Sequence, residues 1–158
     1  VRRLLLDSNA IDPFVDVPGA YEAAEKAITD GTHELVFTHV NIDELAEVPT
    51  VDRRQRLLLA MVGLGRLVPT GAAVFGHSRL NWSRLVDDAD VFEAVQSGNI
   101  DHTRDALLAA TAVFERCPLV TNDKKLRKRA TGRGVQVITT AELLAEFGVT
   151  VGQAGGIS

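Results

Sequence analysis

The chain alternates short apolar runs with longer helical stretches, and this alternation constrains its fold more than any other feature. Residues 2–7 (RRLLLD) form an apolar run with a polar stop and read as a buried strand. Residues 34–38 (ELVFT), 118–121 (PLVT) and 135–138 (VQVI) read the same way, and 66–69 can add a further short strand. Helix-like stretches lie between them. Residues 20–29 follow the Pro18-Gly19 break and close near Gly31, 42–48 stop at Pro49, and 52–64 carry Asp52 as an N-cap. Residues 82–96 read as a helix followed by Gly98. The alanine-rich stretch 103–116 gives the clearest helix, with Asp101 or Thr103 near its start. Residues 124–130 form a basic helix ended by Gly132 and Gly134, and 141–147 form a last helix capped by Thr139 or Thr140. Residues 71–82 mix turn formers without a clean period. Strands alternating with helices imply an α/β domain with a mostly parallel sheet. The domain is expected over 1–147, with 148–158 as a loose, flexible tail.

Composition bounds the function classes. At 158 residues and 46% hydrophobic, the chain suits one domain with one sizeable core. Aromatics are only 5%, which argues against a base-stacking platform for single strands. The single cysteine, Cys117, excludes an internal disulfide and a multi-cysteine zinc site, and its setting suggests an ordinary buried thiol. No stretch has the apolar length of a membrane span, and the segment before Asp7 is too short for a signal peptide, so a cytoplasmic location is expected. There is neither a Walker-type glycine loop nor a Gly-x-Ser-x-Gly elbow.

Acidic residues recur at one kind of position. Asp7 ends the first strand, and Asp123 follows the PLVT strand after Thr121 and Asn122. In open parallel sheets the functional crevice lies beyond the carboxyl ends of the strands, so both acids share a rim. Glu44 follows the second strand, and Asp105 lies near the start of the alanine-rich helix. Each has a plain structural explanation as a turn former, a helix cap or a solvated helix residue. Together they form a set whose mutual repulsion a divalent cation would relieve. An all-oxygen set suits Mg2+ or Mn2+, which can activate water for phosphodiester cleavage. His33, His39, His77 and His102 share no ligand spacing, and His39 reads as a surface histidine. Asp43 and Asp101 are the nearest substitutes for Glu44 and Asp105. Arg53, Arg54 and Arg56 read as a solvated group paired with nearby acids, and Asp87, Asp88 and Asp90 as a helix N-terminal cluster.

Several of these segments resemble one family. Leu4-Leu5-Leu6-Asp7-Ser8-Asn9 resembles the opening of PIN domains, and Thr38 with Glu44-Leu45 resembles their second motif. Asp105-Ala106-Leu107-Leu108-Ala109-Ala110-Thr111-Ala112 and Leu119-Val120-Thr121-Asn122-Asp123-Lys124 are similar to the third and fourth. The resemblance runs from about residue 2 to 147, and the last two motifs are specific when found together. It implies a three-layer α/β/α fold and a ribonuclease dependent on Mg2+ or Mn2+. Asp7, Glu44, Asp105 and Asp123 would be the catalytic, metal-binding acids, with Ser8, Asn9 and Thr121 orienting them. Many members are toxins, so an RNA substrate, a cognate antitoxin and a homodimer are the implied partners. A processing nuclease without antitoxin, or a non-catalytic binding relative, are the alternatives.

A basic run starts one residue after Asp123. On a helix, Lys124, Arg127 and Lys128 share a face by i, i+3, i+4 spacing, with Lys125 beside them. These four are the expected RNA phosphate contacts, although a solvated helix face gives the same pattern. They offset the net charge of −4, which by itself would speak against a nucleic-acid partner.

Overall fold

The structure, a computed structural model, describes residues 1–70 and 89–152. Five strands pair in one sheet: β1 (Arg2–Leu6), β2 (His33–Phe37), β3 (Gly65–Leu67), β4 (Leu119–Val120) and β5 (Val137–Ile138). Their order is β3-β2-β1-β4-β5 and every pairing is parallel. The helices are α1 (Asp12–Asp16), α2 (Ala20–Thr29), α3 (His39–Ala46), α4 (Val51–Leu64), α5 (Ala89–Gln96), α6 (Ile100–Glu115), α7 (Lys124–Gly132) and α8 (Thr140–Glu146).

Alternation along the strands builds the three layers. Leu4 and Leu6 of β1 pack with Leu35 and Phe37 against Phe14, Ala24, Met61 and Leu143, so α1, α2, α4 and α8 cover one face. Leu5 and Val36 face the other way, onto Leu108, Ala109 and Leu126 of α6 and α7. Burial on both faces explains why β1 reads as a continuous leucine run rather than an alternating one. The expected α/β/α architecture is the one observed. Because β1 is central and successive crossovers leave it on opposite sides, a crevice opens at the carboxyl ends of β1, β2 and β4.

Local chemistry shifts several boundaries from those expected. α3 begins at His39 rather than residue 42, because Thr38 and Asn41 form a reciprocal capping box. α4 starts at Val51 with Thr50 in the N-cap position, so Asp52 sits in the first turn and is not the N-cap. α6 begins at Ile100, where the Asn99 side chain accepts the His102 N–H at 3.2 Å. A 3-10 turn over Ser8–Ile11 and the short α1, with Pro13 in its first turn, were not expected from the sequence. Of the helix expected over 82–96, residues 89–96 form α5. Residues 71–88 lie outside the described residues, and so does the irregular stretch expected over 71–82. Beyond α8, Val149 and Val151 pack against the first core cluster. Residues 153–158 of the expected tail lie outside the described residues.

The α4–β3 junction is a tight point in this packing. A Cβ added at Gly65 would lie 2.5 Å from Phe37 Cδ1 and 3.1 Å from the Met61 carbonyl oxygen. At Gly63 it would meet only the hydroxyl end of Tyr21, which can swing away. Gly65→Ala is therefore expected to destabilise the protein by roughly 1–3 kcal/mol, and Gly63→Ala by less, as read from urea unfolding midpoints.

Candidate metal and active site

The site is organised by Asp7, one residue past β1 and only 5% exposed. Its backbone N–H donates to the Val120 carbonyl at 2.9 Å, continuing the parallel ladder between β1 and β4. That register brings the end of β4 within reach. The Thr121 hydroxyl donates to Asp7 Oδ2 at 2.7 Å, and the Ser8 N–H donates to Oδ1 at 2.7 Å. Thr121 Oγ1 in turn accepts the Asp123 N–H at 3.0 Å. One threonine thus fixes the positions of two of the expected acids.

Asp123 is the N-cap of α7, and its Oδ1 accepts from Lys125 N at 2.7 Å and Leu126 N at 3.2 Å. Its capping role is real, but it also faces the crevice. Glu44 is positioned by a chain of hydrogen bonds. The Thr38 N–H donates to Asn41 Oδ1 at 2.7 Å, and Asn41 Nδ2 donates to Ser8 Oγ at 3.3 Å. The Ser8 hydroxyl then bonds to the Glu44 carboxylate. Asp105 lies beyond the first turn of α6, whose cap is Asn99, so Asp105 is not a helix cap.

All four expected acids line one cleft of about 220 Å³, together with Ser8, Asn9 and Asp12. Asp43 and Asp101 are not among the lining residues. Asn9 lines the cleft, but its Oδ1 accepts the Asn122 N–H at 3.4 Å instead of bonding an acid. Leu45, Val48 and Leu57 form an apolar wall. Burial pushes Asp7 up to about 6, helped by the Asp123 charge and opposed by the Thr121 and Ser8 hydrogen bonds. Burial likewise pushes Glu44 to about 7, with the Asp7 and Asp105 charges adding to it and Arg104 opposing. Asp105 also rises to about 7, from burial and then from the charges of Asp123 and Asp7. The four carboxylates therefore feel one another.

Among the described residues, no three His, Cys, Asp or Glu close around a single point as a finished cage. The acids instead line an open cleft with an all-oxygen donor set. This fits a hard divalent ion that keeps several waters and is held by one or two carboxylates.

Sequence reasoning gave several of the residues here no role at the site. Asn41, fully buried, links Thr38 to Ser8, and the Thr38-x-x-Asn41 spacing of a capping box was the signal for it. Arg104 opposes the charge on Glu44 while pairing with Glu47 at 2.7 Å, and Arg129 opposes that on Asp105 while pairing with Asp90 at 2.8 Å. Asp12 reaches the cleft because of the unexpected turn after β1. His39, expected at the surface, is fully buried as the first residue of α3. Arg53 pairs with Asp12 and Asp16, and Arg56 with Asp52 at 3.2 Å, as expected of a paired group. Cys117 is buried, and burial pushes its thiol up to about 11. Among the described residues, no helix is long and apolar enough to cross a membrane.

A second groove, of about 520 Å³, shares Asp105 with the cleft and is lined by Lys125, Lys128, Arg129 and Arg133 of the α7 region and by His102 of α6. Of the four expected phosphate contacts, Lys125 and Lys128 line this groove. Lys124 and Arg127 are exposed on α7 but do not line it.

The raised carboxyls set a pH dependence. Each folded value lies above the ordinary one, so folding favours the protonated form. The stability this contributes is full below about pH 4 and is lost as pH rises through 6 to 7. In EDTA the Tm is expected to fall between pH 5 and pH 8. Mn2+ should raise it more at pH 8 than at pH 5, by about 2–4 °C for each 1 kcal/mol regained. Scanning calorimetry at the two pH values checks this.

The chain shares its fold with known structures. One is the VapBC2 complex of Rickettsia felis bound to a promoter DNA fragment, at 16% identity and a TM-score of 0.52, covering 87% of this chain and 98% of that one. Another is PAE2754 from Pyrobaculum aerophilum, at 20% identity and a TM-score of 0.52, covering 93% and 97%. No curated protein matches it in sequence. The PIN domain model matches residues 4–132, a span that holds all four cleft acids and most of the sheet, and the chain belongs to the PIN domain family.

Proposed function

We propose that this protein is an endoribonuclease that depends on Mg2+ or Mn2+ and cleaves RNA phosphodiester bonds by attack of water. The observation that carries the proposal is the cleft itself, where Asp7, Glu44, Asp105 and Asp123 converge beside a basic groove. PIN domains are generally nucleases, which supports the hydrolytic reading. When bound, the divalent ion would neutralise the acids and supply polarisation of the water and of the scissile phosphate.

The chain's own residues do the rest. Asp7 and Asp123 are held rigid by Thr121, which lowers the cost of ordering them around a cation. Glu44 and Asp105, with pKa values of about 7 in the absence of metal, can give up protons near neutral pH when a cation enters. The apolar wall of Leu45, Val48 and Leu57 limits water on one side and strengthens the interactions inside.

A narrower form of the proposal makes the protein a toxin, homodimeric and held by a cognate antitoxin. Its support is the fold shared with the VapBC2 complex. Growth arrest on expression, relieved by the product of an adjacent reading frame, would bear it out. Unaffected growth would favour a processing nuclease.

The test of the main proposal is cleavage of a mixed RNA pool with Mn2+. EDTA should abolish cleavage. Asp7→Asn and Asp123→Asn should each lower the rate by about a hundredfold or more, the size of effect that follows removal of one group stabilising a transition state. Thr121→Val should lower it by about 10–100-fold through misplacement of both acids. Wild-type rates in the two Asn variants would reject the assignment, and metal binding without cleavage would identify a non-catalytic relative.

A further inference from the structure

We infer that the substrate strand is held on one side of the cut only, its phosphates laid along the groove between α6 and α7 against Lys125 and Lys128, while the opposite flank of the acid cleft takes no phosphate. This rests on the nuclease reading above and deepens it.

Three observations carry the inference. The first is continuity, since Asp105 lines both the acid cleft and the basic groove and a strand can pass from one to the other. The second is uncompensated charge. Lys125 and Lys128 sit three residues apart on α7, both exposed, and neither makes an ion pair among the described residues. Asp90 is already shared, 2.8 Å from Arg129 and 3.9 Å from Arg133, so it does not offset the lysines.

The third observation is the contrast across the cleft. That flank presents Leu45, Val48, Leu57 and the carboxylate of Asp12. Of the cations near it, Arg53 is outnumbered by Asp12 and Asp16, both of which it pairs with, Arg104 pairs with Glu47, and Arg54 is turned to the Val48 carbonyl at 3.2 Å. An anionic strand leaving the acids on that side would meet apolar surface and a carboxylate. On the other side it meets the two lysine ammonium groups. Among the described residues, His102 is the only ring lining the groove, so the strand is held by its phosphate backbone rather than by stacked bases, with little sequence preference.

The test is binding, read without cleavage. Fluorescence anisotropy of a labelled single-stranded RNA of about 12 nucleotides, a length within the range of single-strand sites, is followed in Ca2+ against salt for the full chain. K125E/K128E should weaken binding at low salt about tenfold or more. It should also reduce the slope of log affinity against log salt by about 1.4, at about 0.7 for each phosphate that is no longer neutralised. K124E/R127E, on the same helix but off the groove, should stay within about threefold of wild type, and so should R53Q and R54Q on the opposite flank, with folding of every variant checked by melting. If K124E/R127E weakens binding as much as K125E/K128E, the helix acts as diffuse charge and the track is wrong. If R53Q or R54Q does so, the strand is held on both sides and the inference fails. A protein that passes this test yet cleaves no RNA would overturn the nuclease reading and leave the track standing.

Discussion

Asp7 carries a carboxylate that is almost wholly buried at the carboxyl end of the central strand, and the rest of the site depends on how that group is tolerated. Burying an ionised carboxylate is costly unless hydrogen bonds or a counter-charge replace its water. Two hydrogen bonds do part of this, from the Ser8 N–H and the Thr121 hydroxyl. The Thr121 donor is in place only because the sheet is parallel and β4 lies beside β1, 113 residues on by sequence at the Asp7–Val120 pairing. The remaining cost is visible in the raised pKa of Asp7 and of its neighbours Glu44 and Asp105. A divalent cation bound among them would remove that cost for all of them at once. The fold stores electrostatic strain that a bound metal would relieve, and under the proposed function the same relief would prepare the cleft for a phosphate.

The supporting framework is polar and buried. Thr38, Asn41, Thr121 and Thr140 are all fully buried, and each spends its side chain on bonds around the crevice. Thr140 donates to the Ala10 carbonyl at 3.1 Å, and its N–H donates to Asn122 Oδ1 at 3.2 Å, tying the start of α8 to the segment between Thr121 and Asp123. Such networks are expensive when half satisfied, which explains why they are concentrated where rotamers must be fixed. Outside this ring the charge distribution is uneven. A chain of net charge −4 places lysines on one side of its acids and compensated arginines on the other.

Much of this was legible in the residues. The leucine run of β1 and the PLVT segment announce buried parallel strands, and the crevice rule then puts Asp7 and Asp123 on one rim. α2 lies over the residues expected of it, because its breaks, Pro18-Gly19 and Gly31, are local. What was hidden depends on tertiary structure. The capping box moved α3 back to His39 and buried that histidine, and it turned Asn41 into a link to Ser8. The turn after β1 brought Asp12 into the cleft, which strand-and-helix periodicity could not show. The lysine face was only partly legible, for a similar reason. Helical spacing says which residues are neighbours, but only the packing of α7 beside α6 decides that Lys125 and Lys128 line the groove while Lys124 and Arg127 do not.

The central claim is that the four acids form one electrostatically coupled cation site. Titration calorimetry of Mn2+ at pH 6.5, repeated in buffers of different ionisation enthalpy, counts the protons displaced as the ion binds. With Asp7 at about 6 and Glu44 and Asp105 at about 7, binding should release roughly one to two protons per ion, and fewer in Asp105→Asn protein. Binding with no proton release, or release unchanged in that variant, would contradict the account.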